Sequence, residues 1–220
     1  MAGGEAALMD RLYRRQRHFY DLSRKYYLLG RDRLIDGLAP LPEGRVLEIG
    51  CGTARNLLCI ARRYPQARCY GVDLSAEMLQ TARSAIARDN KGNQVQVAQA
   101  DATDFDPGQL FGALQFDRVI LSYTLSMIPD WEGALDHAAH LLAPGGSLHV
   151  ADFGDQSGLP DWFRRLLFYW LALFSVTPRL SLRDRVPAIA GRSGCDFRFR
   201  HIYRGYVALA ELCAPAAAIP

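Results

Sequence analysis

Val46-Leu-Glu-Ile-Gly-Cys-Gly-Thr-Ala54 decides the fold. An apolar run from Arg45 to Ile49 opens into Gly50-Cys51-Gly52, and a helical stretch follows to Tyr64. Strand, glycine turn and helix in that order let a backbone come close to a ligand at the carboxyl end of a strand. The flanks say what kind of ligand. A dinucleotide-binding loop calls for a third glycine where this chain has Arg55, so a pyrophosphate cradle is disfavoured. Glu48 sets a carboxylate just before the loop, which suits a cationic ligand better than a phosphate.

Reading outward, strands and helices alternate. Arg68 to Asp73 reads as a second strand, Ala76 to Asp89 as a helix, Gln94 to Ala98 as a third strand, and Phe116 to Ser122 as a fourth. Trp131 to Leu142 reads as a helix. Pro144-Gly-Gly146 reads as a turn into a fifth strand, Ser147 to Phe153. Such alternation predicts a parallel sheet with helices on both faces. The end breaks the pattern: Asp196 to Arg200 and Tyr206 to Leu212 are two strands joined tightly at Arg204-Gly205. The expected fold is α/β and Rossmann-like, a mostly parallel seven-stranded sheet closed by an antiparallel hairpin.

Asp73 ends the second strand in Gly71-Val-Asp-Leu-Ser75, where a carboxylate can accept both hydroxyls of a ribose. The alternative is that it only caps the next helix. Asp101-Ala102 is placed to meet an adenine edge, with Leu74 and Met78 as apolar walls. Taken together, the patterns E-x-G-C-G-T, V-D-x-S, A-D-A, F-D-x-V and A-P-G-G, in order across residues 44–153, resemble class I S-adenosylmethionine-dependent methyltransferases. The resemblance implies S-adenosylmethionine as cofactor, held by Glu48, Gly50, Cys51, Gly52, Asp73, Leu74, Met78, Asp101, Ala102 and Ser122, with no metal. One departure is Ala54, where a third glycine is usual.

Composition sets the frame. Half of the 220 residues are apolar, 22% are charged and the net charge is +3, so the total implies no polyanion such as nucleic acid. Basic residues gather at the two ends, eight against four acidic over residues 1–35 and nine against three over 161–205. The five cysteines form no Cys-x-x-Cys pair, which argues against zinc and for reduced thiols. Leu166 to Phe174, the longest apolar run, is about half of a membrane span. A cytoplasmic protein that can lie on a membrane is expected.

The ends are expected to choose the substrate. Tyr13, Arg17, Tyr20, Arg24, Tyr27 and Arg31 recur at steps of four and three, with Leu12, Phe19, Leu22, Tyr26 and Leu29 opposite. Residues 1–39 therefore read as a helical lid with a tyrosine–arginine stripe, and 40–220 as the cofactor domain with a substrate-binding insertion at about 154–194. Leu159 to Phe174 reads as an aromatic helix, either closing the core or lying at a lipid interface. The segment from Tyr13 to Arg33, with Asp152-Phe-Gly-Asp-Gln156 and Phe174-Ser-Val-Thr-Pro-Arg179, resembles the BtaB-type N-methyltransferases of betaine-lipid synthesis. That resemblance implies three methyl transfers to diacylglycerylhomoserine, transient membrane contact and a companion aminocarboxypropyl transferase.

In this reading Tyr20, Tyr27 and Tyr123 form an aromatic cage for the methylated ammonium. Arg24, Lys25 or Arg31 holds the homoserine carboxylate. His18 and His149 are candidate proton acceptors. Phosphatidylethanolamine is the alternative acceptor; a quinone ring and a non-catalytic cofactor-binding module are the remaining alternatives.

Overall fold

The computed structural model describes residues 28–217. A short helix, α1 (Arg31–Asp36), leads into β1 (Arg45–Ile49), α2 (Arg55–Arg63), β2 (Arg68–Asp73), α3 (Ala76–Arg88) and β3 (Val95–Gln99). Then come α4 (Pro107–Phe111), β4 (Phe116–Ser122), α5 (Trp131–His140) and β5 (Leu142–Phe153). The last part holds α6 (Asp161–Ala172), α7 (Leu182–Arg192), β6 (Asp196–Ile202) and β7 (Val207–Cys213). The seven strands form one sheet in the order β3-β2-β1-β4-β5-β7-β6. β1 to β5 run parallel; β7 lies antiparallel to both β5 and β6. The chain order reverses between β1 and β4, and ligands of open parallel sheets bind at the carboxyl ends of strands at such a point.

Period-two alternation divides the strand side chains between two faces. Val46 and Ile120 face one core, with α1, α2, α3 and α6. Leu47, Ile49, Val119 and Leu121 face the other, with Trp131 and Leu135 of α5 and Val186 and Ile189 of α7. Residues 28–38 belong to the first core: Leu28, Leu34, Ile35 and Leu38 are all buried in it. Tyr64 of α2 donates its hydroxyl to the Ile35 carbonyl at 3.1 Å. Arg55 and Arg63 of α2 pair with Asp32 and Asp36 of α1.

Four local features depart from the expected pattern. The fifth strand begins at Leu142, not Ser147, because Leu142 already pairs with Phe116 and the Pro-Gly-Gly segment forms an irregularity inside the strand. A Cβ on Gly146 would lie 2.9 Å from the Phe116 carbonyl, so only glycine passes there. α4, a five-residue helix, starts at Asp106, whose side chain accepts from the Gly108 and Gln109 amides. α7 carries Pro187 in its interior and fills part of the predicted insertion. The third strand is shifted by one residue toward the C-terminus.

Candidate cofactor and substrate site

The glycine loop is stitched across the switch point. Gly50 and Cys51 both donate their amides to the Val72 carbonyl, at 2.8 and 2.9 Å, which fastens the end of β1 to the end of β2. Gly50, Gly52 and Ala54 sit at φ of 74°, 53° and 61°. Ala54 tolerates a left-handed turn where glycine is easier, and its side chain is wholly buried. A Cβ on Gly50 would stand 2.2 Å from Thr124 Cγ2, so the loop touches the chain after β4.

Asp73 lies between two backbone donors. Its Oδ2 accepts from the Gly52 amide at 2.8 Å and its Oδ1 from the Ser75 amide at 2.9 Å. Capping of α3 falls to Ser75, whose hydroxyl accepts from the Met78 amide. The carboxylate of Asp73 therefore joins the two loops at the carboxyl ends of β1 and β2, and a carboxylate has about four acceptor positions to offer. Leu74 is half-buried and Met78 buried at the start of α3. Asp101, just past β3, is held in a turn by the amide and hydroxyl of Thr103, at 3.0 and 2.7 Å, and Ala102 packs against the second core. Ser122, at the end of β4, is buried with its hydroxyl unbonded. Burial pushes the Cys51 thiol up, with Asp73 and Glu48 adding to the rise, so it stays protonated.

Several expected roles change. Glu48 is 2% exposed and its Oε1 accepts from Asn56 Nδ2 at 2.7 Å. It braces α2 beneath the loop rather than opening toward a bound cation. Tyr123 does not present its ring as a cage wall. It is 3% exposed at φ 57°, its ring meets Phe153 edge-on at 4.8 Å, and its hydroxyl donates to the Leu29 carbonyl at 2.6 Å. The side chain fastens the segment before α1 to the end of β4. Arg31 turns its Nε back to the Leu28 carbonyl at 3.3 Å. His149 lies mid-strand on β5, opposite Glu211, with Nε2 beside the Ser147 hydroxyl at 2.8 Å. Four residues of strand separate it from the carboxyl edge, about 13 Å, so it is no proton acceptor for that edge. Tyr13, Arg17, His18, Tyr20, Arg24, Lys25 and Tyr27 lie outside the described residues.

Asp152 is the residue that sequence reading left without a role. It is fully buried at the end of β5, with Oδ2 accepting from the Ser126 amide at 3.0 Å and Oδ1 from the Phe153 amide at 2.7 Å. Burial pushes it up to about 6 against these bonds. Arg179 holds the same rim, donating to the Leu125 and Ile128 carbonyls at 2.9 and 2.5 Å. Thr177 donates its amide to the Ser126 carbonyl at 2.8 Å. The segment between α6 and α7 thus shapes residues 125–128 at the carboxyl edge. The acidic residue opening the quoted Asp152-to-Gln156 motif was the available signal. A groove of about 640 Å³ between α7 and β6, lined by Arg183, Phe197, Phe199 and His201 among others, is not part of this site. β6 stands four strands from β1.

Three kinds of group meet at the carboxyl ends of these strands: backbone of the glycine loop, the acceptor carboxylates of Asp73 and Asp101, and apolar walls from Leu74 and Met78. No lysine or arginine lies in the quoted loop up to Ala54. That set fits a cationic ligand with a diol and an aromatic base, and the close approach allowed by Gly50 and Gly52 fits it as well.

Comparison with known proteins agrees. Residues 46–146 match the model of a methyltransferase domain. The trans-aconitate 2-methyltransferase of Azoarcus sp. strain BH72 is 34% identical over 105 residues, 48% of this chain and 37% of that protein. A chain in the complex of the Haloferax volcanii Trm112 methyltransferase activator with a methyltransferase superposes with TM-score 0.74 at 14% identity, covering 96% of this chain and 100% of that one. Haemonchus contortus phosphoethanolamine N-methyltransferase 2, solved with S-adenosyl-L-methionine, gives TM-score 0.65 at 17% identity over 84% of this chain and 52% of that one. The chain spans about two-fifths of the length of the first curated relatives it matches. Residues 46–146 are thus similar to a methyltransferase domain, on a fold shared with a solved N-methyltransferase that binds S-adenosyl-L-methionine.

Proposed function

We propose that the chain is an N-methyltransferase that converts diacylglycerylhomoserine to its trimethylated betaine lipid in three successive transfers. The observation that carries the lipid part is α6. Leu167 and Leu171 of this helix are buried in the same core as Cys51, Ala54, Tyr123 and Phe153, with Phe163, Phe168, Trp170 and Phe174 packed against it. An apolar, aromatic helix shares a core with residues of the cofactor loop, and the chain of a lipid acceptor would enter along it. The amino-acid head group rests on the resemblance of the Tyr13-to-Arg33 segment.

Bound S-adenosylmethionine supplies an electrophilic methyl carbon on a sulfonium. The chain's own residues do the rest by placement. Asp73 would accept the ribose hydroxyls, Asp101 would meet the adenine edge, and Leu74 and Met78 would enclose the base. Tyr20 and Tyr27 would receive the nitrogen that gains positive charge, while Arg24 or Lys25 would hold the carboxylate. The acceptor amine attacks only when neutral, so each transfer would follow loss of its proton to solvent; the nitrogen–methyl bond would form as the sulfur–methyl bond breaks, and the sulfur would leave as a neutral thioether.

The test is transfer from labelled S-adenosylmethionine to diacylglycerylhomoserine, phosphatidylethanolamine and trans-aconitate in separate reactions, with products read by mass. Stepwise gain of three methyls on the homoserine lipid alone is expected. Transfer only to phosphatidylethanolamine would keep a lipid amine acceptor and reject the head group. The trans-aconitate relative supports methylation of a small carboxylate as a second reading, and transfer to that acid alone would reject the lipid reading.

A further inference from the structure

We propose that the outward face of α6 is a membrane-docking surface that seats the site against an anionic bilayer. The helix is apolar over more than half its circumference but buries only part of that arc. Trp162, Leu166, Tyr169 and Leu173 point away from the core and are 69, 58, 67 and 57% exposed. At 100° per residue these four lie within about 60° of one another, so they form one stripe along three turns. A single exposed leucine needs no explanation, whereas an aligned row of large apolar side chains marks an interaction face. α6 is 12 residues long, and no helix among the described residues is long and apolar enough to cross a membrane. A face on a short helix fits a body that lies at the interface rather than one that spans it.

A second element widens the patch. Gly158, just before α6, donates its amide to the Arg204 carbonyl at 3.0 Å, and Gln156 donates to the Gly205 carbonyl at 2.9 Å. These bonds hold the β6–β7 turn at the start of α6, with Tyr203 48% exposed and Arg204 also exposed. Arg165 is exposed and borders the stripe on α6 itself. Exposed aromatic rings flanked by arginine match the level of lipid head groups, where rings sit amphipathically and guanidinium groups reach phosphate.

Charge selects the occupant. Arg165 on α6 and Arg204 on the adjoining turn stand exposed at the border of the stripe, and Arg164 beside them pairs with Asp161. A second copy of the chain would set these arginines against their own counterparts, since a two-fold interface uses the same patch on both sides. Residues 1–27 are also basic, six Arg or Lys against three acidic, so that segment is a poor cover for the same reason. An anionic lipid surface is complementary to both the charge and the rings. The choice of bilayer over an acidic protein rests on the lipid reading of the function given above.

The experiment is vesicle flotation of the full chain with phosphatidylcholine alone and with phosphatidylcholine–phosphatidylglycerol mixtures, which contain no methyl acceptor amine of the proposed kind. Binding to the mixed vesicles is expected, weakened by high salt. The emission of Trp162 should shift to the blue on binding, because Trp131 is buried and Trp170 half-buried already. The triple variant Trp162→Ser, Leu166→Ser, Tyr169→Ser, checked for an unchanged melting curve, should bind about tenfold more weakly or less. Arg204→Glu, on the separate turn, should weaken binding to the anionic vesicles alone. Absence of wild-type binding, or equal binding by the triple variant, would overturn the proposal. So would a concentration-dependent dimer that the triple variant dissolves. Vesicle binding without methylation of any lipid would leave the docking face and reject the lipid acceptor; methylation of micellar lipid without vesicle binding would do the reverse.

Discussion

At Gly50 the backbone turns with φ 74° and Thr124 fills the space where a side chain would go. Gly50→Ala should therefore cost cofactor affinity by about tenfold or more, through strain and displacement of Thr124. Calorimetric titration with S-adenosylmethionine checks this, and adding Thr124→Ala should recover part of the loss. Recovery would be partial because the left-handed backbone still disfavours alanine. Asp73→Ala should abolish binding in the same assay, since it removes the proposed ribose acceptor and the bonds to Gly52 and Ser75 together; unchanged affinity would defeat the ribose assignment. Tyr123→Phe keeps the ring against Phe153 but deletes the hydroxyl bond to Leu29. About 1 kcal/mol of unfolding free energy should be lost, with faster amide exchange in the segment around α1.

Along β5, two buried groups titrate in opposite directions. His149 is lowered to about 4 by burial, so it favours the fold above its usual 6.5 and that contribution is lost as pH falls through 4. Asp152, raised from 3.8 to about 6, favours the fold fully below 3.8, and the contribution is lost as pH rises through 6. Comparison of wild type with Asp152→Asn cancels the histidine. The difference in unfolding free energy between the two proteins should move by about 2 kcal/mol against the wild type between about pH 4 and about pH 7. A flat difference would mean that Asp152 stays ionised throughout. Elements such as β1, β2 and β4 were legible because each is a short apolar run with a punctuating Gly, Asp or Ser at its end. α4 was hidden by its length of five residues, and α7 by Pro187 and an arginine-rich pattern. The start of β5 was hidden because Pro144-Gly-Gly146 looks like a turn, while its pairing with β4 is a long-range fact. For the same reason the sequence placed Glu48 and Tyr123 by position on their strands but could not supply Asn56 or Leu29, the partners that turn their side chains inward.

Across the whole molecule, β7 is the strand on which closure depends. It bonds to β5 on one side and to β6 on the other, and Leu212 on it is fully buried. Leu212→Ala should cost about 2–5 kcal/mol in chemical denaturation, in the range of a core leucine deletion. The inverted order of β6 and β7 also sets a schedule for synthesis. The ribosome makes β6 before β7, yet β6 meets the sheet only through β7. Until residues 207–213 emerge, the nascent chain carries a bare β5 edge and a waiting strand with nothing to pair with, a condition that invites pairing with other chains. The parallel half can assemble during translation, while the edge must wait, so that interval is the one in which the nascent chain is most open to mispairing.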